Sequence, residues 1–313
     1  MYERANKDDR LFVGVRIGGR CTADGILDEI YHFCSSPFVN SCYVLVKEEV
    51  EPDLYYKWAT ALKETKTFFF LHNYEYDIAK DVADKMKNIA GEFYLGAFAW
   101  RLNEWGTKSS TAPYWGYSQQ IENKKISIDS YDNTFSGEED IDDLKVSFER
   151  NRKVIKERID ECRDLYGGIV CASEATAHIK YLSEGGQDVV FAELMNAYLA
   201  TQVACARGTT RGYNKDEWIA NIAHEWYGGL DNEDPMKLKR LKLAYDYVYM
   251  AGANFIYIES GEQNTRSYGV YHPETYRIPQ TYKKIREEFS ASVKDDVRPL
   301  GGPLCKVGIV HGN

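Results

Sequence analysis

The chain has 313 residues, of which 44% are hydrophobic and 28% are charged. This composition provides enough apolar side chains for a sizeable core and excludes a largely disordered protein. The formal net charge of −9 and the lack of a basic stripe disfavour binding to nucleic acid or to an anionic membrane, and no apolar run is long enough to span a bilayer.

In its first half, the chain alternates short apolar runs with amphipathic stretches. Each apolar run predicts a buried strand, and the four runs span residues 11–19, 41–47, 66–74 and 92–100. The amphipathic stretches predict helices at about 23–35, from Leu54 to Leu62 and from Ile78 to Ile89. Gly91 is expected to end the third helix.

The second half continues the alternation after a polar loop at about 106–137. The acidic run at 138–143 opens a long helix to about 165, as the helix dipole favours. Further strands are predicted at 167–173, 188–194, 217–226 and 254–260, and further helices begin near Pro235 and span about 274–291. Eight β-then-α units predict an α/β fold, a (β/α)₈ TIM barrel, which typically needs about 250 residues; a doubly wound open sheet is the alternative.

The last residues predict a change of domain. We expect the barrel to occupy residues 1–297 and the Pro/Gly segment 298–303 to be a linker. Residues 304–313 contain the run KVGIVHGN, which predicts the first strand of a truncated second domain.

Cysteine usage and the chain start say little about compartment. The seven cysteines are scattered and odd in number, so we expect buried free thiols rather than a disulfide framework or a zinc site. The polar start MYERANKDDR lacks the apolar core of a signal peptide. A cytoplasmic location, and a periplasmic or secreted one after processing, both remain open.

Polar side chains gather where the predicted strands end, which is where the active site of such a barrel lies. These residues are Arg16, Arg20, His72, Asn73, Tyr74, Arg101, Asn103, Glu104, Ser173, Glu174, Glu193, Asn196, His224, Glu225 and Glu259. The set holds five glutamates and no aspartate. Because it contains no H-x-H or H-E-x-x-H spacing, the sequence predicts no catalytic metal and no cofactor.

Converging carboxyl groups are what glycoside hydrolysis requires. One carboxylic acid protonates the leaving oxygen, while the other carboxylate attacks the anomeric carbon or activates water. Aromatic side chains that stack on sugar rings follow strands four and seven; they are Trp100, Trp105, Tyr114, Trp115, Trp226 and Tyr227.

The pair Asn103-Glu104 at the end of strand four resembles the Asn-Glu pair of clan A, the large clan of retaining glycosidases with (β/α)₈ barrels. The resemblance implies that Glu104 is the acid/base and that Asn103 binds the sugar 2-hydroxyl. It also implies that Glu225, at the end of strand seven, is the nucleophile. The two carboxyl groups of a retaining enzyme lie about 5–5.5 Å apart.

Within that clan, the chain is similar to bacterial β-galactosidase-like enzymes, in which a flavodoxin-like domain follows the barrel and forms a trimer. The full-length protein is therefore expected to be a homotrimer that takes a carbohydrate substrate. Strand eight of these enzymes often ends in an aromatic residue, whereas here it ends in Glu259-Ser260. Glu259 thus remains a rival nucleophile to Glu225.

The other strand-end residues have two interpretations each. Substrate binding is the expected role of Arg16, His72, Asn73, Trp105, Trp115, Glu174, Trp226 and Tyr227. Alternatively, Glu174 and Glu193 hold Arg16 or Arg207 in ion pairs. His224 is expected to pack on the face opposite to Glu225, because neighbouring strand residues alternate.

The sequence thus predicts a β-galactosidase- or β-mannosidase-like hydrolase that removes terminal sugars by a double displacement with two glutamates. Two alternatives stay open: a non-catalytic carbohydrate-binding barrel, and a different TIM-barrel enzyme such as a metal-dependent hydrolase or a lyase.

Overall fold

A computed structural model describes residues 11–18, 23–46, 49–73, 78–99, 144–174, 179–195, 198–224, 235–258 and 280–293. The predicted loop at 106–137, the linker 298–303 and the strand at 304–313 lie outside these residues. The two-domain division therefore stays a prediction.

Eight parallel strands form a nearly closed barrel. They are β1 (Phe12–Gly18), β2 (Ser41–Val46), β3 (Phe68–Asn73), β4 (Tyr94–Phe98), β5 (Ile169–Cys171 and Ser173–Glu174, interrupted at Ala172), β6 (Val190–Leu194), β7 (Trp218–Ile222) and β8 (Phe255–Ile258). Each strand pairs with its neighbours in chain order, and β1 pairs with β8. This order confirms the TIM barrel and excludes the doubly wound open sheet.

One helix of the described chain follows each strand. The helices are α1 (Ala23–Cys34), α2 (Pro52–Glu64), α3 (Lys80–Ala90), α4 (Leu144–Tyr166), α5 (Ile179–Glu184), α6 (Leu199–Gly212), α7 (Pro235–Met250) and α8 (Gln280–Val293). The predicted stop at Gly91 is confirmed, because this residue has a φ of 62° and its N–H bonds to the carbonyl of Lys87. A short 3₁₀ turn over Gly91–Phe93 then delays the start of β4 beyond the predicted residue 92.

The barrel closes at β5, which changes partner along its length. Its first segment pairs with β4 and its second with β6. At the change, side chains replace the missing ladder bonds. Asp188 accepts a hydrogen bond from Val170 N at 2.8 Å and donates its own N–H to Val170 O at 2.7 Å, while Gln187 Oε1 accepts from Ala172 N at 3.3 Å.

Two layers of apolar side chains surround the strands. Outward-facing residues, such as Val15 and Val44, pack against the helices. Inward-facing residues fill the barrel with a mainly aromatic cluster: Tyr43, Phe70, Phe98, Cys171, Val189, Phe191, Ile219, Phe255 and Tyr257. The interior is therefore a packed core and not a pore, as the fold requires.

Gly14 makes room for one of these rings. A methyl group at this position would lie 2.0 Å from Tyr257 Cε1, far inside van der Waals contact. The Tyr257 ring has little freedom to move away, because its hydroxyl is hydrogen-bonded to Ser41 Oγ and its ring centroid lies 5.3 Å from that of Tyr43. The barrel interior therefore tolerates no side chain at residue 14.

All described cysteines are free, and four of them, Cys34, Cys42, Cys162 and Cys171, are buried, which agrees with the expectation of buried thiols. Within the described part of the chain, no helix is long and apolar enough to cross a membrane.

We predict that Gly14→Ala destabilises the protein by about 1–3 kcal/mol, because the added methyl group overpacks the barrel interior. Urea unfolding would measure this. Gly208→Ala is the matched control: among the described residues nothing lies within 4 Å of an added methyl group at Gly208 in α6, so stability should stay equal or rise by up to about 1 kcal/mol. Equal unfolding midpoints for Gly14→Ala and wild type would contradict the proposed steric limit.

We also predict that Asp188→Ala lowers the free energy of unfolding by about 1–3 kcal/mol, because it removes the acceptor of the Val170 amide at the closure of the barrel. Asp160→Ala is the control, since Asp160 is a comparably exposed carboxylate that also contacts Arg163 but lies on the surface of α4. Its loss should cost at most about 1 kcal/mol. Comparable losses in the two variants would show that Asp188 acts only as a surface charge.

Candidate functional site

Four strands carry a polar residue at an inward position near their carboxyl ends: Arg16 on β1, His72 on β3, Glu193 on β6 and Asn221 on β7. Each of these residues lies two positions after a residue of the barrel interior. Side chains two positions apart on a strand point to the same face, so the polar side chains also face inward. The interior residues below them are Gly14, Phe70, Phe191 and Ile219. A polar layer therefore lies above the aromatic cluster at the end of the barrel where TIM-barrel active sites occur.

Aromatic rings form the floor beneath this polar layer. The ring of Tyr43 lies near the centre of the contacts, with centroid distances of 5.2 Å to Phe98, 6.3 Å to Phe191 and 5.3 Å to Tyr257. Phe98 and Phe191 are 4.6 Å apart. Because these rings come from β2, β4, β6 and β8, the floor ties opposite sides of the barrel together.

The floor is uncharged. Burial raises the pKa of Tyr257 well above its usual value, although the hydrogen bond with Ser41 works in the opposite direction. Burial likewise raises the pKa of the Cys171 thiol. Both groups are therefore protonated at neutral pH, and neither provides a nucleophile. Any acid–base chemistry must come from residues above the floor.

His72 lies at the edge between floor and polar layer. Its ring is partly exposed and makes an edge contact with Phe98 at 5.0 Å, while Tyr43 lies 6.4 Å away. The histidine therefore faces the barrel interior, as a substrate-binding residue at a strand end must. Asn73 is the last residue of β3, where it pairs with Val46.

Glu193 and Asn221 occupy neighbouring positions in the polar layer. Strand pairing places Glu193 opposite Asn221, and Asn221 opposite Tyr257. Asn221 is only 2% exposed, and its Oδ1 has no hydrogen-bond partner among the residues that the structure describes. The buried Nε of Arg16 is likewise without a partner in the described ranges.

Helix side chains hold two of these strand ends in place. Glu29 of α1 accepts a hydrogen bond from Gly18 N at 2.6 Å, two residues beyond Arg16. Gln202 of α6 accepts from Met195 N at 2.9 Å and donates to the carbonyl of Glu193 at 3.4 Å. These bonds fix the backbone that carries Arg16 and Glu193, and so pre-organise the polar layer.

The remaining predicted site residues fall in two groups. Glu104, Asn103, Trp105, Trp115, Glu225, Trp226, Tyr227 and Glu259 lie outside the described residues. Glu174 forms the second segment of β5 and pairs with Ala192. His224 is the second residue after the end of β7 and is buried, and its packing role stays a prediction.

Asn221 is the site residue that the sequence analysis missed. It lies inside the apolar run WIANIA, which includes β7, whereas the predicted site residues were taken from the ends of such runs. The available signal is strand alternation: Asn221 shares a face with Ile219, and a polar residue stands out on the inner face of a barrel strand, where bulky apolar residues dominate.

The described residues contain no group of three or more His, Cys, Asp or Glu side chains that could hold a metal ion. The polar layer instead combines one guanidinium, one imidazole, one carboxyl group and one amide. This set is able to bind hydroxyl groups and to accept or donate protons, but Glu193 is its single carboxyl group in the described part of the chain.

No family model matches the chain, and no curated protein matches it significantly. One similar solved structure is a dipeptide epimerase from Enterococcus faecalis, with 8% identity and a TM-score of 0.36; the match covers 68% of this chain and 47% of that one. Another is a glycoside hydrolase family 17 β-1,3-glucanosyltransferase from Rhizomucor miehei, with 11% identity and a TM-score of 0.42; the match covers 79% of this chain and 85% of that one. A deoxyribose phosphate aldolase from Aeropyrum pernix is also similar, with 8% identity and a TM-score of 0.39; the match covers 88% of this chain and 90% of that one.

This chain is a (β/α)₈ barrel. It spans about half the length of the epimerase, with 47% of that chain covered. The similar structures are barrel enzymes of several kinds, and at 8–11% identity the likeness concerns the fold alone. The activity must therefore be argued from the residues of the site.

We predict that Glu29→Ala lowers the free energy of unfolding by about 1–3 kcal/mol, because the Gly18 amide loses its buried acceptor. Glu64→Ala is the control, because Glu64 makes a hydrogen bond of 2.8 Å with Tyr31 at the exposed surface. Its loss should cost at most about 1 kcal/mol. Urea unfolding of both variants checks this, and an unchanged midpoint for Glu29→Ala would show that the end of β1 does not depend on α1.

Proposed function

We propose that the protein is a retaining β-glycosidase that removes terminal sugars, with β-galactoside or β-mannoside as substrate. The observation that carries this proposal is the polar layer of Arg16, His72, Glu193 and Asn221 above an aromatic floor at the carboxyl ends of the strands. A concave site with aromatic walls and a few polar groups is typical of carbohydrate binding.

The candidate glutamates follow the same ends of the strands along the chain. Glu259 comes directly after Ile258, the last residue of β8, and Glu225 is the third residue after the end of β7. Glu104 is the sixth residue after Phe98, which ends β4. Short connections from strands of one closed barrel support convergence of their carboxyl groups at one site.

In the proposed mechanism, Glu104 protonates the leaving oxygen while Glu225 attacks the anomeric carbon. The resulting glycosyl-enzyme is hydrolysed by water that Glu104, now a carboxylate, activates as a base. Asn103 binds the 2-hydroxyl of the sugar, and this bond strengthens in the transition state. Glu259 is the alternative nucleophile.

Further contacts to the sugar are assigned to the residues around these glutamates. Arg16 belongs to β1, His72 and Asn73 belong to β3, and Glu174 belongs to β5. Stacking on the sugar ring is the proposed role of Trp105, Trp115, Trp226 and Tyr227. A binding barrel without turnover would use the same contacts, so the experiment must separate binding from hydrolysis.

We expect the full-length protein to hydrolyse one member of a panel of aryl β-glycosides. Glu104→Ala should lose at least about 100-fold in turnover with poor leaving groups, since general acid catalysis typically contributes that much. With an activated aryl leaving group, azide should restore turnover of this variant and yield a β-glycosyl azide. Chromatography and NMR of the product measure the configuration.

The nucleophile is identified by a glycosyl azide of the opposite anomeric configuration. Azide rescue of Glu225→Ala should give an α-glycosyl azide, because azide then replaces the nucleophile on the other face of the sugar. Rescue of Glu259→Ala instead would exchange the two roles. Glu157→Ala, at an exposed position of α4, controls for nonspecific effects of removing a carboxylate.

Two results would contradict the proposal. If the wild type binds sugars but hydrolyses no member of the panel, the protein is a carbohydrate-binding barrel. If chelators abolish an observed hydrolysis and metal analysis finds a bound ion, the protein is a metal-dependent barrel hydrolase.

A further inference from the structure

Two buried polar atoms at the carboxyl end of the barrel point to a ligand. Asn221 Oδ1 is an acceptor and Arg16 Nε is a donor, and neither has a hydrogen-bond partner among the residues that the structure describes. Asn221 is 98% buried, since its exposed fraction is 2%. Its side chain faces the barrel interior, because Ile219, two residues earlier on β7, belongs to the interior cluster.

An unpartnered buried polar atom destabilises the folded protein, and the large majority of buried side-chain polar atoms find a partner. An apolar side chain of similar size at residue 221 would remove this destabilisation. The neighbouring inward positions of the interior cluster are indeed apolar or aromatic. The retention of an amide at the top of an apolar strand therefore needs a reason other than stability.

The chemistry of the two atoms defines the ligand. Asn221 Oδ1 requires a hydrogen-bond donor, whereas Arg16 Nε requires an acceptor. An ionised carboxylate satisfies the arginine but has no proton to donate to Asn221 Oδ1, and a phosphate donates there only while one of its oxygens keeps a proton. A hydroxyl group both donates and accepts, so a neutral polyhydroxylated molecule satisfies both atoms.

We infer that Asn221 and Arg16 form a polar subsite for a neutral sugar, in which Asn221 Oδ1 accepts a hydrogen bond from one hydroxyl and Arg16 Nε donates to another oxygen of the same ring. This inference rests on the proposed glycosidase function and deepens it. It adds Asn221 to the binding residues and favours a ring that carries hydroxyl groups over an ionised carboxylate in this part of the site.

The neighbours of Asn221 on the paired strands are compatible with the subsite. Asn221 pairs with Glu193 on one side and with Tyr257 on the other. The Tyr257 hydroxyl is already engaged by Ser41, so it does not compete for Asn221. The sugar then takes the amide oxygen, while the Tyr257 ring supports the strand from below.

The test replaces Asn221 by leucine, which is similar in size but has no polar atom. In the absence of ligand, N221L is expected to raise the Tm by about 2–4 °C, because the unpartnered acceptor is gone. For the aryl β-glycoside that the wild type hydrolyses, N221L should raise KM by about 10-fold, the loss of one hydrogen bond. At the same sugar concentration, it should also reduce the Tm increase that galactose or mannose produces in the wild type.

Ser290→Ala is the matched control. Ser290 is buried in α8, and its Oγ also has no partner among the described residues, but it lies in the helical layer away from the strand ends. Its removal should leave KM and the sugar-induced Tm increase unchanged. Inorganic phosphate is the control ligand, and it should not stabilise the wild type at this subsite.

Three outcomes would overturn the inference while the glycosidase function stands. N221L lowers the Tm, which would mean that Oδ1 has a partner in the folded protein. N221L keeps the wild-type KM and sugar response. Phosphate stabilises the wild type more than the hexoses do. If the wild type hydrolyses no aryl glycoside and responds to no hexose, both the inference and the proposed function fail.

Discussion

Closure of the barrel at β5 is the constraint on which the rest of the structure depends. The strand ladder alone does not complete the ring, because β5 leaves β4 and joins β6 around Ala172. The side chains of Asp188 and Gln187 satisfy the backbone amides at this change of partner. Without this closure at β5, the positions of β6 and β7 relative to β3 and β4 would not be fixed. The polar residues of these strands would then not gather at one end of the barrel.

The packed interior decides where polar chemistry is possible. Tyr43, Phe98, Phe191 and Tyr257 fill the barrel and are neutral, so an ionised group placed among them would be desolvated at high cost. Function is therefore confined to the final inward positions and the loops that follow them. Gly14 belongs to the same arrangement, because the missing side chain on β1 is what allows the Tyr257 ring to reach Ser41 on β2.

Much of the fold was predictable, because strand and helix patterns are local. The eight apolar runs follow from periodicity, and the stop at Gly91 follows from the preference for glycine at the end of a helix. Helices α5 and α6 were not placed individually; α6, for example, is rich in small and polar residues and has a weak apolar stripe. The break at Ala172 and the role of Asp188 depend on contacts between distant strands, which a single sequence does not reveal. Asn221 was overlooked because it lies inside an apolar run, and the glutamates Glu104, Glu225 and Glu259 remain predictions.

Stability and binding make opposite demands on the polar layer. Glu29 and Gln202 stabilise the protein and hold the backbone of β1 and β6, so their contribution is visible in the folded chain alone. Asn221 Oδ1 and Arg16 Nε contribute nothing of this kind, since these two buried atoms have no hydrogen-bond partner within the described residues. A site whose backbone is held by helix side chains loses little ordering entropy when a ligand binds, and its unpartnered atoms favour a ligand that completes them. The division between a held backbone and two unpartnered buried atoms is therefore what the proposed sugar subsite requires.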